Sequence, residues 1–220
     1  MRTRAKLALA VVLLLAGAVP ALAATTPTGK SAEQIRQYRD SGEWAKAVSK
    51  QATKAKAWLK QRTDARHAPK KPALVLDIDE TSLDNYPCLN EKGGIPYDPV
   101  ANVQCVTAYD APAIKPIRSL FRRAKALKVA VFFITARPEA IRGGTLDNLK
   151  AAGYTGKYEL ILEPPGYTID SKVPYKSGAR KKIQKRGYKI IANVGDQQSD
   201  LKGGYSERTY KLPNLIYLTP

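Results

Sequence analysis

The chain is short of the groups on which several kinds of site are built. It holds one histidine, His67, one methionine, two cysteines and 19 acidic residues in a length of 220. A single imidazole excludes zinc centres assembled from several nitrogen ligands. Neither cysteine heads a Cys-x5-Arg nucleophile loop, because Gly94 and Ala111 stand where the arginine would be. Long apolar runs are also scarce: there is one, near the N-terminus, and no other segment is apolar enough to cross a bilayer. The shortage of acids against 37 Lys and Arg leaves a net charge of +18. Excess positive charge concentrates anionic ligands near the surface. The basic residues are scattered, and no basic run is interleaved with aromatics, which argues against a nucleic-acid partner.

The one apolar run lies within residues 1–23. Arg2, Arg4 and Lys6 form a basic start, residues 7–19 are apolar, and Ala21-Leu22-Ala23 has the small-x-small form of a cleavage site. This is the pattern of a secretory signal peptide. The alternative, an uncleaved anchor, needs a longer span than this run offers. No cysteine stands at the cleavage site to carry a lipid. The expectation is a periplasmic or secreted protein with no stable membrane span after signal removal. Removing three basic residues and no acids leaves +15. Export permits a disulfide, and Cys88 and Cys105 are the available pair; two free buried thiols are the alternative.

Residues 24–220 are long enough for one domain with a substantial core. Residues 24–72 read as an N-terminal helical extension. Ser31 and Gln34 form a capping box, and Asp40-Ser41-Gly42 ends the first helix. A second helix runs to about residue 63, with Trp44, Ala47, Val48, Ala52, Ala55 and Leu59 near one face. A Pro/Lys linker then carries His67. An apolar strand over 73–77 follows. Residues 82–113, rich in Asn, Pro, Gly and Tyr, lack periodicity and bracket both cysteines, so they read as a small cap over the end of that strand. Tyr86, Tyr97 and Tyr109 are its candidates for stacking on a ligand. Beyond it, the pattern alternates: helix 116–127, strand 129–134, helix 138–152 weakened in its middle by Gly143-Gly144, strand 158–162, helix 176–186, strand 189–194 and a last strand over 214–218. Apolar strands alternating with amphipathic helices imply an α/β fold with a mainly parallel sheet.

The acids that matter stand at strand ends. Asp77 and Asp79 close the first strand in Leu74-Val75-Leu76-Asp77-Ile78-Asp79-Glu80-Thr81, and Asp196 and Asp200 follow another in Gly195-Asp196-Gln197-Gln198-Ser199-Asp200. In an open α/β sheet, ligands bind beyond the carboxyl ends of the strands. Adjacent acids repel unless a cation or a shared proton compensates; an exposed Asx-rich turn is the bland alternative. Gly195 lets the backbone turn at the strand end. Thr135 ends a third apolar strand, and Lys176 opens a basic helix.

The DIDET run resembles the first motif of the haloacid dehalogenase superfamily. Its continuation to Asn85 is similar to the secreted acid phosphatases of class B and class C type and to plant vegetative storage proteins. Thr135, Lys176 and the GDxxxD at Gly195 stand in order as the second, third and fourth motifs. Arg66-His67-Ala68, by contrast, departs from the Arg-His-Gly of histidine acid phosphatases, and there is no second histidine. The resemblance implies a three-layer α/β sandwich with a Rossmann-like sheet and a small cap after strand one. It also implies a magnesium-dependent acid phosphatase acting on phosphate monoesters through an aspartyl-phosphate. Asp77 is then the nucleophile and Asp79 the general acid and base. Thr135 binds a phosphoryl oxygen, Arg137 lies beside it as a second substrate contact, and Lys176 neutralises the phosphate. Mg2+ is held by Asp77, Asp196, Asp200 and the backbone carbonyl of Asp79. The departures lie just after Asn85 and in the GDQQSD motif, where class C relatives carry a later aromatic and an acidic or DN-type motif. A 5'-nucleotidase or phosphotransferase using the same site, and a non-enzymatic storage or binding protein of the same fold, are the alternatives.

Overall fold

A computed structural model describes residues 28–218; the expected signal peptide, 1–23, lies outside them. Its centre is a parallel five-stranded sheet in the order β3-β2-β1-β4-β5. The strands are β1 Pro72–Leu76, β2 Ala130–Pro138, β3 Glu159–Glu163, β4 Lys189–Gly195 and β5 Arg208–Lys211. Strand residues face two cores, which is why the strands read as continuous apolar runs. On one face Leu74, Leu76, Val131, Phe133 and Ile191 meet α2 (Glu43–Asp64), α5 (Lys115–Ala126) and α6 (Arg142–Ala151). On the other, Ala73, Val75, Phe132, Ile134 and Ile190 meet Ala179 and Ile183 of α7 (Val173–Lys185). The result is the expected three-layer α/β sandwich. Each fully buried Val, Leu, Ile or Phe contributes about 1.5–3 kcal/mol.

Two helices precede β1 among the described residues. Ser31 caps α1 (Ala32–Asp40) with a complete capping box. Val48, Ala52, Ala55 and Leu59 of α2 are buried. Trp58 donates from Nε1 to the Ile191 carbonyl at 2.7 Å, which ties α2 to β4. The chain goes from β1 outward to β2 and β3, then returns to place β4 on the other side of β1. The carboxyl ends of β1 and β4 therefore flank the point where strand order reverses, the usual position of a ligand crevice.

Three expectations are corrected. Residues 214–218 are not a strand. Pro213 lacks an N–H for a ladder, and the Asn214 side chain accepts from the Ile216 backbone at 2.8 Å, bending the chain locally. The fifth strand is Arg208–Lys211, whose charged residues suit an exposed sheet edge. The cap segment is also more ordered than its missing periodicity suggests. It holds α3 (Tyr86–Glu91) and α4 (Pro99–Ala108), each with proline in its first turn, and Asp98 caps α4 by accepting from the Ala101 N–H at 2.7 Å. Finally, 138–152 is not one helix. β2 runs on to Pro138, a 3-10 turn follows, and α6 starts at Arg142. Gly143 and Gly144 thus open the helix rather than interrupt it, and a Cβ at Gly144 would run into the Tyr109 ring.

Cys88 of α3 and Cys105 of α4 are bridged, with Cα atoms 5.7 Å apart. Ile35, Leu89, Ile95 and Ile216 surround Cys105 in a small satellite core. Closing a loop of 17 residues stabilises by about 3 kcal/mol in the chain-entropy model. For a domain of this size, 1 kcal/mol moves Tm by about 2–4 °C. Cys88→Ser with Cys105→Ser should therefore lower Tm by about 6–12 °C in calorimetry. An unchanged Tm would show that the bridge does not support the cooperative unit.

Candidate active site

The first acid is placed by the sheet itself. The Asp77 N–H donates to the Val194 carbonyl at 3.0 Å, extending the β1–β4 pairing one residue past the strand. The loop beyond winds round a single acceptor: the N–H groups of Thr81, Ser82 and Leu83 all point to the Ile78 carbonyl. Glu80 sits in this loop at φ 53°, a region that L residues seldom adopt. Its buried carboxylate accepts from the Asn85 N–H at 3.1 Å and from the Tyr217 hydroxyl, which fix the loop. Burial, with Asp79 and Asp196 nearby, pushes Glu80 well above the ordinary carboxylate range.

Four carboxylates meet at this edge. Lys176, in the first turns of α7, donates from Nζ to Asp77 at 2.8 Å and also to Asp200. Asp79 is held by Arg137, whose Nη2 donates to it at 2.7 Å and Nε at 3.1 Å, and by the Asn85 amide at 2.8 Å. Asp196 accepts from Thr81 at 3.0 Å, Gln197 at 2.6 Å and Asn214 at 2.7 Å, all neutral donors. Asp200 accepts from the Gln197 N–H at 2.7 Å. With Glu80 the buried cluster sets five acids against Lys176 and Arg137 at the carboxylates, while Arg180 and Lys211 donate to the backbone carbonyls of Asp200 and Asp196.

The electrostatics follow from that imbalance. Burial and the charges of Asp200, Asp196 and Asp79 push Asp77 well above the ordinary carboxylate range, against the pull of Lys176. Burial and Asp200 raise Asp196 to about 6. Burial also acts to raise Asp79, but Arg137 and Asn85 outweigh it, and Asp79 is lowered. Burial acts to lower Lys176; Asp200 and Asp77 outweigh it and keep the ammonium charged. Oxygens of Asp77, Asp196 and Asp200 lie within 4.8 Å of one another. An all-oxygen, over-acidic donor set of this kind suits a hard divalent cation. The Asp79 carboxylate is outside that set, turned towards Arg137.

Most residues singled out in the sequence converge here. Asp77, Asp79, Thr135, Arg137, Lys176 and Asp196 line one cavity of about 390 Å³, and Asp200 stands behind Lys176. The Thr135 hydroxyl accepts from the Arg137 N–H at 3.1 Å, leaving its own proton to donate. Arg137, expected on a substrate, instead spends its guanidinium on Asp79, with a longer contact to Thr145. Of the three cap tyrosines, only Tyr97 lines the cavity. Tyr86 lies under the Arg39 guanidinium, and Tyr109 packs at Gly144. Gly195 has an ordinary φ; its need is space, because a Cβ there would run into the Asp200 carboxylate. The C-terminal stretch supplies what sequence reasoning missed: Asn214 on Asp196 and Tyr217 on Glu80. The Asn-x-x-Tyr spacing carries no recognisable signal by itself.

Acid phosphatase 1 of Solanum lycopersicum is 35% identical over 146 residues, which make up 65% of this chain and 57% of that protein. Vegetative storage protein 2 of Arabidopsis thaliana is 34% identical over 149 residues, 66% of this chain and 56% of that protein. The chain therefore spans less than two thirds of the length of these curated relatives. The class C acid phosphatase from Bacillus anthracis shares the fold, with a TM-score of 0.70 at 22% identity, covering 85% of this chain and 86% of that one. The family described as HAD superfamily, subfamily IIIB (acid phosphatase) matches residues 7–220, and the chain belongs to it.

Proposed function

We propose that the protein hydrolyses phosphate monoesters, with Asp77 as the nucleophile and an aspartyl-phosphate as the intermediate. The observation that carries this reading is the Asp77 carboxylate at the strand-order reversal, ion-paired to Lys176 and facing a cavity that Asp79 and Thr135 also line. A carboxylate nucleophile splits one hard displacement into two easier ones. An Asp77 oxygen forms a bond to phosphorus as the ester oxygen leaves with a proton from Asp79. In the second half Asp79 takes a proton from water, whose oxygen attacks phosphorus and releases Asp77. Arg137 and Asn85 favour the ionised form of Asp79, the form the second half needs; in the first half the proton must sit where the Arg137 pair now lies. Lys176 and the Thr135 hydroxyl are placed to hold phosphoryl oxygens, and such positioning and charge neutralisation make up most of phosphoryl-transfer catalysis. Magnesium, held by Asp77, Asp196, Asp200 and the Asp79 carbonyl, would supply further neutralisation of phosphoryl charge.

The Cys88–Cys105 bridge supports the reading of an exported protein, periplasmic or secreted, since such bonds persist in oxidising compartments. No described helix is long and apolar enough to cross a membrane. The test is phosphate release from a panel of nucleoside, sugar and aromatic monophosphates, with and without chelator, and with alcohols added. Release of inorganic phosphate from several esters is the expected result. Transfer to the alcohols in preference to water would favour a phosphotransferase. No turnover of any ester by folded, magnesium-loaded protein would leave a storage or binding role.

A further inference from the structure

The chain carries 37 Lys and Arg, yet among the described residues Asp77, Asp79, Arg137, Lys176 and Asp196 are the only charged side chains that line the active-site cavity. The two cations that line the cavity, Lys176 and Arg137, lie at its acidic base and are paired with carboxylates. Above that base the wall is made by Val103 and Val106 of α4, Ile141 after β2, and Tyr97, Tyr217 and Leu218. Val103 and Leu218 are 60% and 55% exposed, so the apolar lining continues out to the rim. Tyr97 and Tyr217 form a tilted ring pair with centroids 5.2 Å apart. The Tyr217 hydroxyl is bonded to Glu80, and the Thr107 hydroxyl on the same wall bonds back to the Val103 carbonyl at 2.7 Å. Asn102 and Thr107 are the polar side chains of the α4 wall, and among the described residues no cation beyond Lys176 and Arg137 lines the cavity to meet a second phosphate.

On the phosphatase reading of the same site, we propose that the preferred substrates are monoesters of uncharged, apolar alcohols, aromatic or branched, and that α4 selects them through Val103 and Val106. A cavity of about 390 Å³ has room for an alcohol as well as a phosphoryl group, and lies in the usual ~300–1,000 Å³ range of small-molecule pockets. Burying the alcohol against this wall removes apolar surface from water. A glycerol or sugar group would leave water for few partners, the Asn102 amide chief among them, which disfavours it. The wall helix is anchored to α3 by the Cys88–Cys105 bridge, so its position does not depend on packing alone.

The test compares kcat/KM for benzyl phosphate and glycerol 1-phosphate. Both are esters of primary alcohols, so leaving-group acidity does not decide the ratio. The wild type should favour benzyl phosphate by about tenfold or more, the scale on which apolar pockets discriminate. Val103→Lys, an exposed position, should cut that ratio about tenfold by bringing a cation to the wall. Val106→Thr, nearly isosteric, should lower it in the same direction. A ratio near one in the wild type, or one that neither variant moves, would overturn the proposal. Failure to hydrolyse either ester, or any other monoester, would instead reject the phosphatase reading, so the two failures are distinguishable.

Discussion

Asp77→Asn should reduce phosphate-ester turnover by about 10⁴-fold or more, the scale of losing a covalent nucleophile. That corresponds to about 5 kcal/mol or more of barrier. The fold should survive, because the effects on stability oppose each other. The substitution removes one of the two ion pairs of Lys176, but Asp200 still holds the ammonium. It also removes the carboxylate that burial and three neighbouring acids disfavour most. The amide keeps the shape of the acid and one acceptor oxygen. The net change in stability should stay within about 2 kcal/mol, in the range of ordinary substitutions. The measurement is steady-state turnover beside a thermal melt, with mass spectrometry showing that the introduced amide has not deamidated back to the acid. Near-normal turnover by such a preparation would remove Asp77 from the mechanism. A collapse of the melt with the activity would assign Asp77 a structural role instead.

Removal of divalent cation should have the second largest effect. Five carboxylates, the buried Glu80 among them, share the cations Lys176 and Arg137, and the Asp196 carboxylate is touched by neutral donors, with the Lys211 ammonium on its backbone carbonyl. Burial first, and then Asp200, raise that carboxylate to about 6. A divalent cation bound there would relieve the repulsion, and its removal should bring ester hydrolysis to background. Asp196→Asn keeps one acceptor oxygen, for Asn214 and Gln197 or for Thr81 but not for both sides, and removes the negative charge that a hard cation needs. It should raise the magnesium concentration for half-maximal activity by about tenfold or more, while the melt of the metal-free protein stays near wild type or rises. Titration calorimetry with magnesium gives the same shift without relying on turnover. Full activity of the wild type in excess chelator, with no metal found by elemental analysis, would eliminate the cation and the neutralisation assigned to it.

Much of the site was legible from local pattern. An apolar run ending in acids places those acids at the carboxyl edge of a parallel sheet, whatever the rest of the chain does. Asp77 and Asp196 therefore had to share an edge once β1 and β4 were recognised as strands of one sheet. Lys176 was legible from motif order, but its pairing with Asp200 as well as Asp77 was not. Asn85 and Thr81 were inside the recognised run, though their donation to Asp79 and Asp196 was not apparent.

What the sequence by itself determined was the class of fold, the apolar stretches that could enter a sheet, the acids at their ends and the cysteine pair. Strand periodicity, capping residues and charge are local or compositional properties, so a linear reading reaches them. The tertiary structure alone decided which groups face each other across long separations. Arg137 lies 58 residues from Asp79, Thr81 is 115 from Asp196, and Tyr217 is 137 from Glu80. Arg137, read as a substrate contact, pairs with Asp79 at the cavity wall, which compensates a buried guanidinium. Gly195 proved necessary for the space Asp200 occupies, a clash that no backbone preference reveals. The 214–218 stretch, apolar enough to read as a strand, became a tail over the site because Pro213 cannot join a ladder and Asn214 could satisfy Asp196. The charged Arg208–Lys211 took the sheet edge in its place, where one side of the strand meets water and charge is no penalty.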